Sequence, residues 1–406
     1  MRILIVTDSY PPEVRSAAQL MSELAEGLCE CGNEITVATT MPGYNLASGT
    51  KIDAIPREET INGVRVIRIT TLPHHNVPYI LRGINQLFLP NFFTRAVLKI
   101  LSGPFDAVIV HSPPLPLALA AAKLAKHYSA KFIPNIHDIF PQNGIDLVTW
   151  WQKPLIQFFF GPMEKKVYKL GDLIIVPSEA HADYLEKNRN VPREKLNVIP
   201  HWIDTAPFDA VVPNNRFRKM WRFEGKFVFL FAGVIGPSQG LEMVFDVAEE
   251  FQKEKKDDAV FLFVGDGTDR ARLQNIAREK NIQNVMFKSF VSSEEYPELV
   301  KEMDVAIVTL TSKNTTPAVP AKLVGYMAAG VPVVVAVHKE SDALRIVNDA
   351  KCGFTAVSSD SEAVTAAFRA AYDAKLSLKT LGENGRRYTQ EHFAKEKLIA
   401  EWDKII

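Results

Sequence analysis

The chain has 406 residues, with 47 basic side chains against 47 acidic ones. That length exceeds one ordinary core and fits two domains of about 200 residues each; the charge balance excludes a global field for nucleic acid, so any basic site must be local. Three cysteines, Cys29, Cys31 and Cys352, offer neither a metal-ligand spacing nor an even disulfide set, so reduced thiols in a cytoplasmic protein are expected.

The N-terminal MRILIVTDSYPP has too few apolar residues before Asp8 and the prolines for a signal-peptide core and reads as a first buried strand of a mature, cytosolic chain. From Arg2 to about Pro200, the runs ILIV, EITVAT, VRVIRI, DAVIVH, KFIPNI and DLIIVPS alternate with helical patterns, beginning with a helix from about Ala17 to Cys31. That alternation predicts parallel strands joined by crossover helices. After the proline-bearing stretch VIPHWIDTAPFDAVVPNN a second series follows: FVFLFAG, a helix near 240 to 253, VFLFVGDG, a helix near 268 to 280, then VMFKSF, VAIVTL, VPVVVAV and FTAV. Two consecutive doubly wound α/β units are implied, with a hinge around 201 to 215 and a cleft between them as the default ligand site. The longest apolar candidates for a membrane span are broken by Pro113, Pro114 and Pro116, or by Pro332, so no crossing is expected.

Two stretches depart from this pattern. Tyr79 to Leu101 and Trp150 to Tyr168 mix bulky aromatics with basic residues, which suits either an interfacial helix on an anionic membrane or a helix packed on the first sheet. For 150–168 packing is the expectation; for 79–101, with Phe88, Phe92 and Phe93 near Arg82, Arg95 and Lys99, both readings stay open. Near the C-terminus, Tyr388, Phe393, Leu398 and Trp402 recur at four or five residues, so one helix over about 384 to 406 should bury a single apolar stripe.

Three glycine-bearing turns follow predicted strands of the second unit: FAGVIGPSQGL, VGDGTDR and PAVPAKLVGYMAAG. Such turns let backbone amides approach a phosphate at a helix N-terminus. Neither a Walker loop nor a Gly-x-Gly-x-x-Gly fingerprint after the first strand accompanies them. In the third turn Lys322 stands alone at the start of an uncharged helix, either as an ordinary solvated residue or as the cation of an anion site into which Pro320 would lead.

Taken in order, DSYPPEVRSAAQLMSELAEGLCECGNEITVAT, HSPPLPLALAAAKLA, IHDIFPQN, GDLIIVPSEAHADYL, VIPHWID, FAGVIGPSQGLEMVFDVA, FVGDGTDRARLQNIA, VMFKSFVSSEEYPELVKEMDVAIVTL and KLVGYMAAGVPVVVA resemble family 4 glycosyltransferases of the GT-B fold over essentially the whole chain. The likeness is nearest to the branch that builds bacterial surface polysaccharides. It implies two Rossmann-like domains facing a cleft: residues 1–203 for the acceptor, with a C-terminal helix over 387–406 returning to them, and residues 204–386 for the nucleotide-sugar donor. It further implies hexosyl or N-acetylhexosaminyl transfer, with retention of configuration and neither metal nor other cofactor. The absence of an Asp-x-Asp motif agrees with metal independence. UDP is the expected carrier, a polysaccharide or lipid-linked glycan the expected acceptor, and the inner face of an anionic membrane the expected place of work; no nucleic acid is involved.

The same resemblance assigns the site residue by residue. His137, Asp138 and Lys322 form the catalytic set, although Asp138 could instead cap the following turn and His137 bond locally. Donor contacts fall to Arg15 and Ser16 in the first unit, to Gly233, Val234, Ser238 and Gln239 in the first turn of the second, and to Gly265, Asp266 and Gly267 in the next. Phe290 and Val291, and then Pro320, Ala321, Lys322 and Leu323, complete them. The sequence departs from the family where an Arg and a Lys are usual, at Val234 and Gln239, and where two glutamates are usual, at Pro317 and Gly325. Lys322 and Arg15 are then left to carry the phosphate charge, unless Arg15 is simply a solvent-exposed arginine. Two other readings keep the scaffold: a non-catalytic partner in a polysaccharide assembly complex, and a sugar-nucleotide epimerase.

Overall fold

The computed structural model describes residues 1–43, 46, 50–71 and 79–406, with backbone alone for 53 and 79–87; the side chain of Arg82 therefore lies outside the described residues. The chain forms two compact units, one of Met1–Pro200 with Glu396–Ile406 and one of His201–Lys395.

The first unit runs β1 (Arg2–Val6), α1 (Ser16–Glu30), β2 (Glu34–Thr40), β3 (Glu58–Ile61), β4 (Val64–Ile69), α2 (Tyr79–Ile100), β5 (Ala107–Ser112) and α3 (Leu115–Tyr128). It continues through β6 (Lys131–Ile136), α4 (Gln142–Leu147), α5 (Lys153–Leu170), β7 (Ile174–Val176), α6 (Glu179–Arg189) and β8 (Leu196–Val198). The second unit comprises α7 (Ala206–Asp209), α8 (Arg216–Met220), β9 (Phe227–Ala232), α9 (Glu242–Lys253), β10 (Ala259–Val264), α10 (Arg270–Glu279), β11 (Val285–Lys288) and α11 (Tyr296–Lys301). There follow β12 (Val305–Thr309), α12 (Lys322–Ala328), β13 (Val333–Val337), α13 (Asp342–Ala350), β14 (Gly353–Val357), α14 (Ser361–Asp373) and α15 (Leu378–His392), and then α16 (Lys395–Ile405).

Each unit is built on one sheet, of order β3-β4-β2-β1-β5-β6-β7-β8 in the first and β11-β10-β9-β12-β13-β14 in the second. The central strands are parallel, so helices must cover both faces, which is why their sequences are continuous apolar runs. Side chains divide by the period of two: Val228, Leu230 and Ala232 of β9 pack with α12 and α13, whereas Phe227, Phe229 and Phe231 pack with α9 and α14. Phenylalanines bridge adjacent strands on the second face, Phe229 stacking on Phe261 with centroids 5.0 Å apart.

The structure adds two strands to those expected. β3 is antiparallel to β4, joined through Asn62 and Gly63, both at positive φ (48° and 83°); Asn-Gly is the hairpin signal that an all-parallel reading passes over. β8 arises in the polar stretch before the proline-bearing segment and pairs with β7.

Helix burial also departs from expectation. The 150–168 stretch is only half packed: Gly161, Glu164, Val167 and Tyr168 are buried, while Trp150, Trp151, Leu155, Phe158 and Phe159 are exposed. α2 divides similarly, with Phe93 and Val97 buried and Phe88 and Phe92 exposed.

The single C-terminal helix expected over 384–406 is two helices, broken at Phe393 and Ala394. Its stripe divides accordingly, because Tyr388 and Phe393 join the second unit's core. The first unit takes up Glu396 onward. There Ile399 lies over Gly27 of α1, a site with no room for a Cβ. Asn33 Nδ2 donates to Asp403 Oδ1 at 2.7 Å, and Lys131 Nζ donates to the carbonyl of Ile405 at 2.9 Å. Trp402 is 1% exposed. Trp402→Ala should therefore destabilise the first unit by about 3–5 kcal/mol, read as a lower midpoint in urea unfolding followed by far-UV circular dichroism. An unchanged midpoint would remove Trp402 from that core.

Candidate functional site

In the second unit the C-terminal edge of β9 is fastened to α12 by one hydroxyl. Tyr326 Oη accepts from the Ala232 amide at 2.9 Å and donates to the Ala232 carbonyl at 3.2 Å. One helical turn before it, Lys322 reaches across the end of β9, where Nζ donates to Gln239 Oε1 at 2.6 Å and lies 3.6 Å from the centre of the Phe231 ring. Gly233 flanks the same ammonium: a Cβ there would stand 3.6 Å from Nζ. Lys322 is thus not an ordinary solvated residue. Some of its surface remains accessible, but burial of the ammonium pushes its pKa down to about 7 from the usual 10.5.

This arrangement revises the expected phosphate cradle. α12 spans only Lys322–Ala328, with Ala321 as its cap, and Pro320 precedes that cap, its carbonyl accepting from the Leu323 amide at 3.0 Å. What α12 brings to this edge is the Lys322 ammonium, not a cluster of amides. The glycine turns, moreover, hold each other: Gly233 donates to Val264, Ile235 to Asp266 and Gly265 to Lys288, at 2.8–3.0 Å. Gly265 has φ +150°, and a Cβ on it would overlap the Gly233 carbonyl oxygen, so close backbone approach explains the glycine. Gly267 donates to the Asp266 carboxylate at 2.8 Å. The amides of Val234 and Gly236 are not among the bonded ones.

The remaining donor candidates spread out along the edge. Val234 is exposed, and the Ser238 carbonyl accepts from Thr311 at 2.9 Å. Phe290 is exposed, Val291 leans on the core, and Leu323 lies within it. At the two positions where the family resemblance calls for glutamate, Pro317 is buried, and a Cβ at Gly325 would stand 3.6 Å from the Tyr296 hydroxyl.

In the first unit, Arg15 is neither free nor fully solvated. Its Nη1 bonds Asp8 Oδ2 at 3.2 Å and lies 4.0 Å from Glu13 Oε2, two carboxylates that already balance its charge. Ser16 is exposed at the start of α1. The His137 amide donates to the Ser112 carbonyl at 2.9 Å, and its ring lies 4.3 Å from that of His111. Asp138 does not cap α4, whose cap is Pro141. Its residue is exposed, which counts against the raised carboxyl pKa that crowded surroundings would otherwise give it.

The structure therefore gathers Phe231, Gly233, Gln239, Lys322 and Tyr326 in one unit, and Asp8, Glu13, Arg15, His111 and His137 in the other. Sequence reasoning passed over Tyr326, although Lys-x-x-x-Tyr places both residues on one helical face; Phe231 and His111 looked like strand residues. Among the described residues no three His, Cys, Asp or Glu side chains converge to hold a metal.

His111 is buried, with no hydrogen-bond partner for Nδ1. Burial lowers its pKa from 6.5 to about 4, with Asp8 pulling upward and Arg15 downward. The neutral ring is the folded form, so its contribution to stability is complete above about pH 6.5 and is lost as pH falls through about 4. His111→Asn should flatten the stability slope in that window, which linkage sets at up to roughly 3 kcal/mol. Urea unfolding at stepped pH measures it; parallel slopes for both proteins would exclude His111 as the titrating group.

Two family models match the chain in succession: Glycosyltransferase Family 4 over residues 17–207 and Glycosyl transferases group 1 over residues 214–388. A colanic acid biosynthesis glycosyl transferase of Escherichia coli is 24% identical over 345 residues, covering 82% of this chain and 83% of the relative. A GDP-mannose-dependent alpha-mannosyltransferase of Mycobacterium tuberculosis is 24% identical over 340 residues, covering 82% and 78%. Among solved structures, HepE of Anabaena in complex with UDP-glucose superposes with a TM-score of 0.72 at 17% identity, over 100% of both chains. With one model on each unit and the two Rossmann-like sheets of the GT-B architecture, the chain belongs to the family 4 and group 1 glycosyltransferases.

Proposed function

We propose that this glycosyltransferase moves a hexosyl or N-acetylhexosaminyl group from a UDP-sugar to a polysaccharide or lipid-linked acceptor, with retention and without a metal, on the cytoplasmic side of a membrane. The second unit takes the donor and the first the acceptor. One observation carries the donor half: an ammonium held beside Phe231 and Gly233 whose one hydrogen-bond partner among the described residues is the neutral Gln239. A diphosphate offers that cation the counter-charge it lacks. Gln239, at a position where the resemblance calls for lysine, then orients Lys322 instead of adding a second charge.

In the reaction the bond between the anomeric carbon and the diphosphate oxygen breaks, and the acceptor oxygen bonds that carbon on the same face. The acceptor proton passes to the departing phosphate, and the nucleoside diphosphate leaves. Lys322 stabilises the charge that develops on the leaving group, an effect typically worth roughly 10²-fold or more in rate. His137 and Asp138 border the acceptor side. The UDP-glucose complex of HepE supports uridine as the base, while the GDP-mannose dependence of the mycobacterial relative makes guanosine the comparison to run.

Proline and glycine at 317 and 325 favour a second reading, a partner in polysaccharide assembly that no longer transfers sugar. Calorimetric titration separates the two. UDP should bind more tightly than GDP, and Lys322→Ala should weaken UDP binding about ten- to a hundredfold by removing a charge-assisted hydrogen bond. Because burial brings the Lys322 pKa down to about 7, an arriving diphosphate favours the ammonium, so at pH 8 binding should take up protons from the buffer. Heats measured in buffers of different ionisation enthalpy report that uptake. Equal affinities for wild type and variant would remove the phosphate role, and no binding of either nucleotide would support the non-catalytic reading.

A further inference from the structure

The Tyr296 hydroxyl is a polar group that the donor chemistry above leaves unused. Among the described residues it takes part in no hydrogen bond, and it keeps some contact with solvent. Burial of the side chain, with Tyr326 as a second cause, holds the phenol's pKa well above its ordinary value, so it stays protonated and can donate as well as accept. The ring itself is held in place: it packs on the second unit's core and meets Phe208 edge-on, with centroids 6.3 Å apart.

Facing this hydroxyl is a glycine that backbone conformation does not explain. Gly325 lies inside α12, where glycine is less favourable than alanine, and its φ is not positive. Outside its own helix, the Tyr296 Oη at 3.6 Å is the one described heavy atom within 4 Å of where a Cβ would stand. Gly265 and Gly267, by contrast, would each press a Cβ into a neighbouring carbonyl oxygen. Gly325 follows Lys322 by three residues, so the hydroxyl stands beside the same face of α12 that carries the ammonium.

α11 and α12 cover one face of the sheet, with Leu299 and Val300 of the first and Leu323 and Tyr326 of the second in a core shared with β9 and β10. α11 runs from β11, at the rim of the sheet, back to β12. Its first residue, Tyr296, therefore lies at the C-terminal edge of the strands, between Lys322 and Phe290, which follows β11 and is 55% exposed.

We propose that Tyr296 reads the ribose of the donor: its hydroxyl bonds the ribose hydroxyls of a nucleoside diphosphate whose phosphates meet Lys322, in the room that Gly325 leaves beside α12. The inference rests on the donor reading of Lys322. In a nucleoside diphosphate the ribose stands between base and phosphates, and Tyr296 stands in the same order between an exposed ring and a cation. The transferred sugar, beyond the far phosphate, is a poorer occupant. A neutral phenol also adds no negative charge beside the diphosphate, as a carboxylate would. Loss of glutamate at 325 then changes which residue holds the ribose, and does not by itself abolish nucleotide binding.

Calorimetric titration with UDP and with its two deoxy forms, each lacking one ribose hydroxyl, tests the assignment. The wild type should bind UDP about three- to tenfold more tightly than at least one deoxy form, the worth of one neutral hydrogen bond. Tyr296→Phe should weaken UDP by the same factor and leave that deoxy form unchanged, so that the preference disappears. The variant loses one oxygen and keeps the contact with Phe208, so its thermal unfolding should match the wild type. Tyr296→Phe/Gly325→Glu should regain the preference, because a carboxylate at 325 accepts from the same hydroxyls. If UDP binds the wild type while both deoxy forms bind equally well, or while Tyr296→Phe binds UDP as the wild type does, this inference fails and the donor reading stands. Absence of UDP binding to the wild type overturns both.

Discussion

The Tyr326 hydroxyl is where the second unit's site begins. A buried phenol paired with both backbone groups of Ala232 leaves α12 one position against the end of β9, since sliding the helix would strand three polar groups away from water. That fixed register delivers Lys322 to Phe231 and Gln239. The position costs the lysine much of its hydration, which is why its proton is held so weakly. The strain of a half-satisfied cation is the kind of local disadvantage that functional sites retain.

The first unit handles charge differently. Near its strand ends Arg15 lies between Asp8 and Glu13, and Glu13 also receives the Gly43 amide at 3.1 Å. A guanidinium so placed shapes its loop, whereas an ammonium bonded, among the described residues, to one neutral amide oxygen can still accept an anion. The two basic residues that the sequence singles out as phosphate ligands thus differ in surroundings, and the difference favours Lys322. His111, near the end of β5, and His137, just past β6, lie ring against ring with centroids 4.3 Å apart.

The glycine turns show how a phosphate-like pattern can have another cause. Parallel neighbours at the end of a sheet bring consecutive turns within backbone contact, and only a residue without a Cβ fits at Gly265 beside the Gly233 carbonyl. Their amides continue the ladder past the last strand residues. A sequence motif records that glycine is required there and is silent on whether a ligand or another peptide fills the space.

Most of the fold was legible from the chain alone, because strands covered on both faces must be short unbroken apolar runs and their connecting helices must be amphipathic. VRVIRI and KFIPNI, for example, coincide with β4 and β6 residue for residue. β3 was legible in principle from Asn62-Gly63, whose side chains favour the positive φ that a tight hairpin needs. Composition also marked the 79–101 and 150–168 stretches, but which of their aromatics pack and which face outward depends on neighbours supplied by α3. The sequence determined the candidate residues of the site, their charge and their order. Only the tertiary structure decided which of them meet, because hydrogen bonding and desolvation act between residues far apart in the chain: Gln239 and Lys322 are 83 positions apart, Ala232 and Tyr326 are 94 apart, and no local pattern encodes either pair.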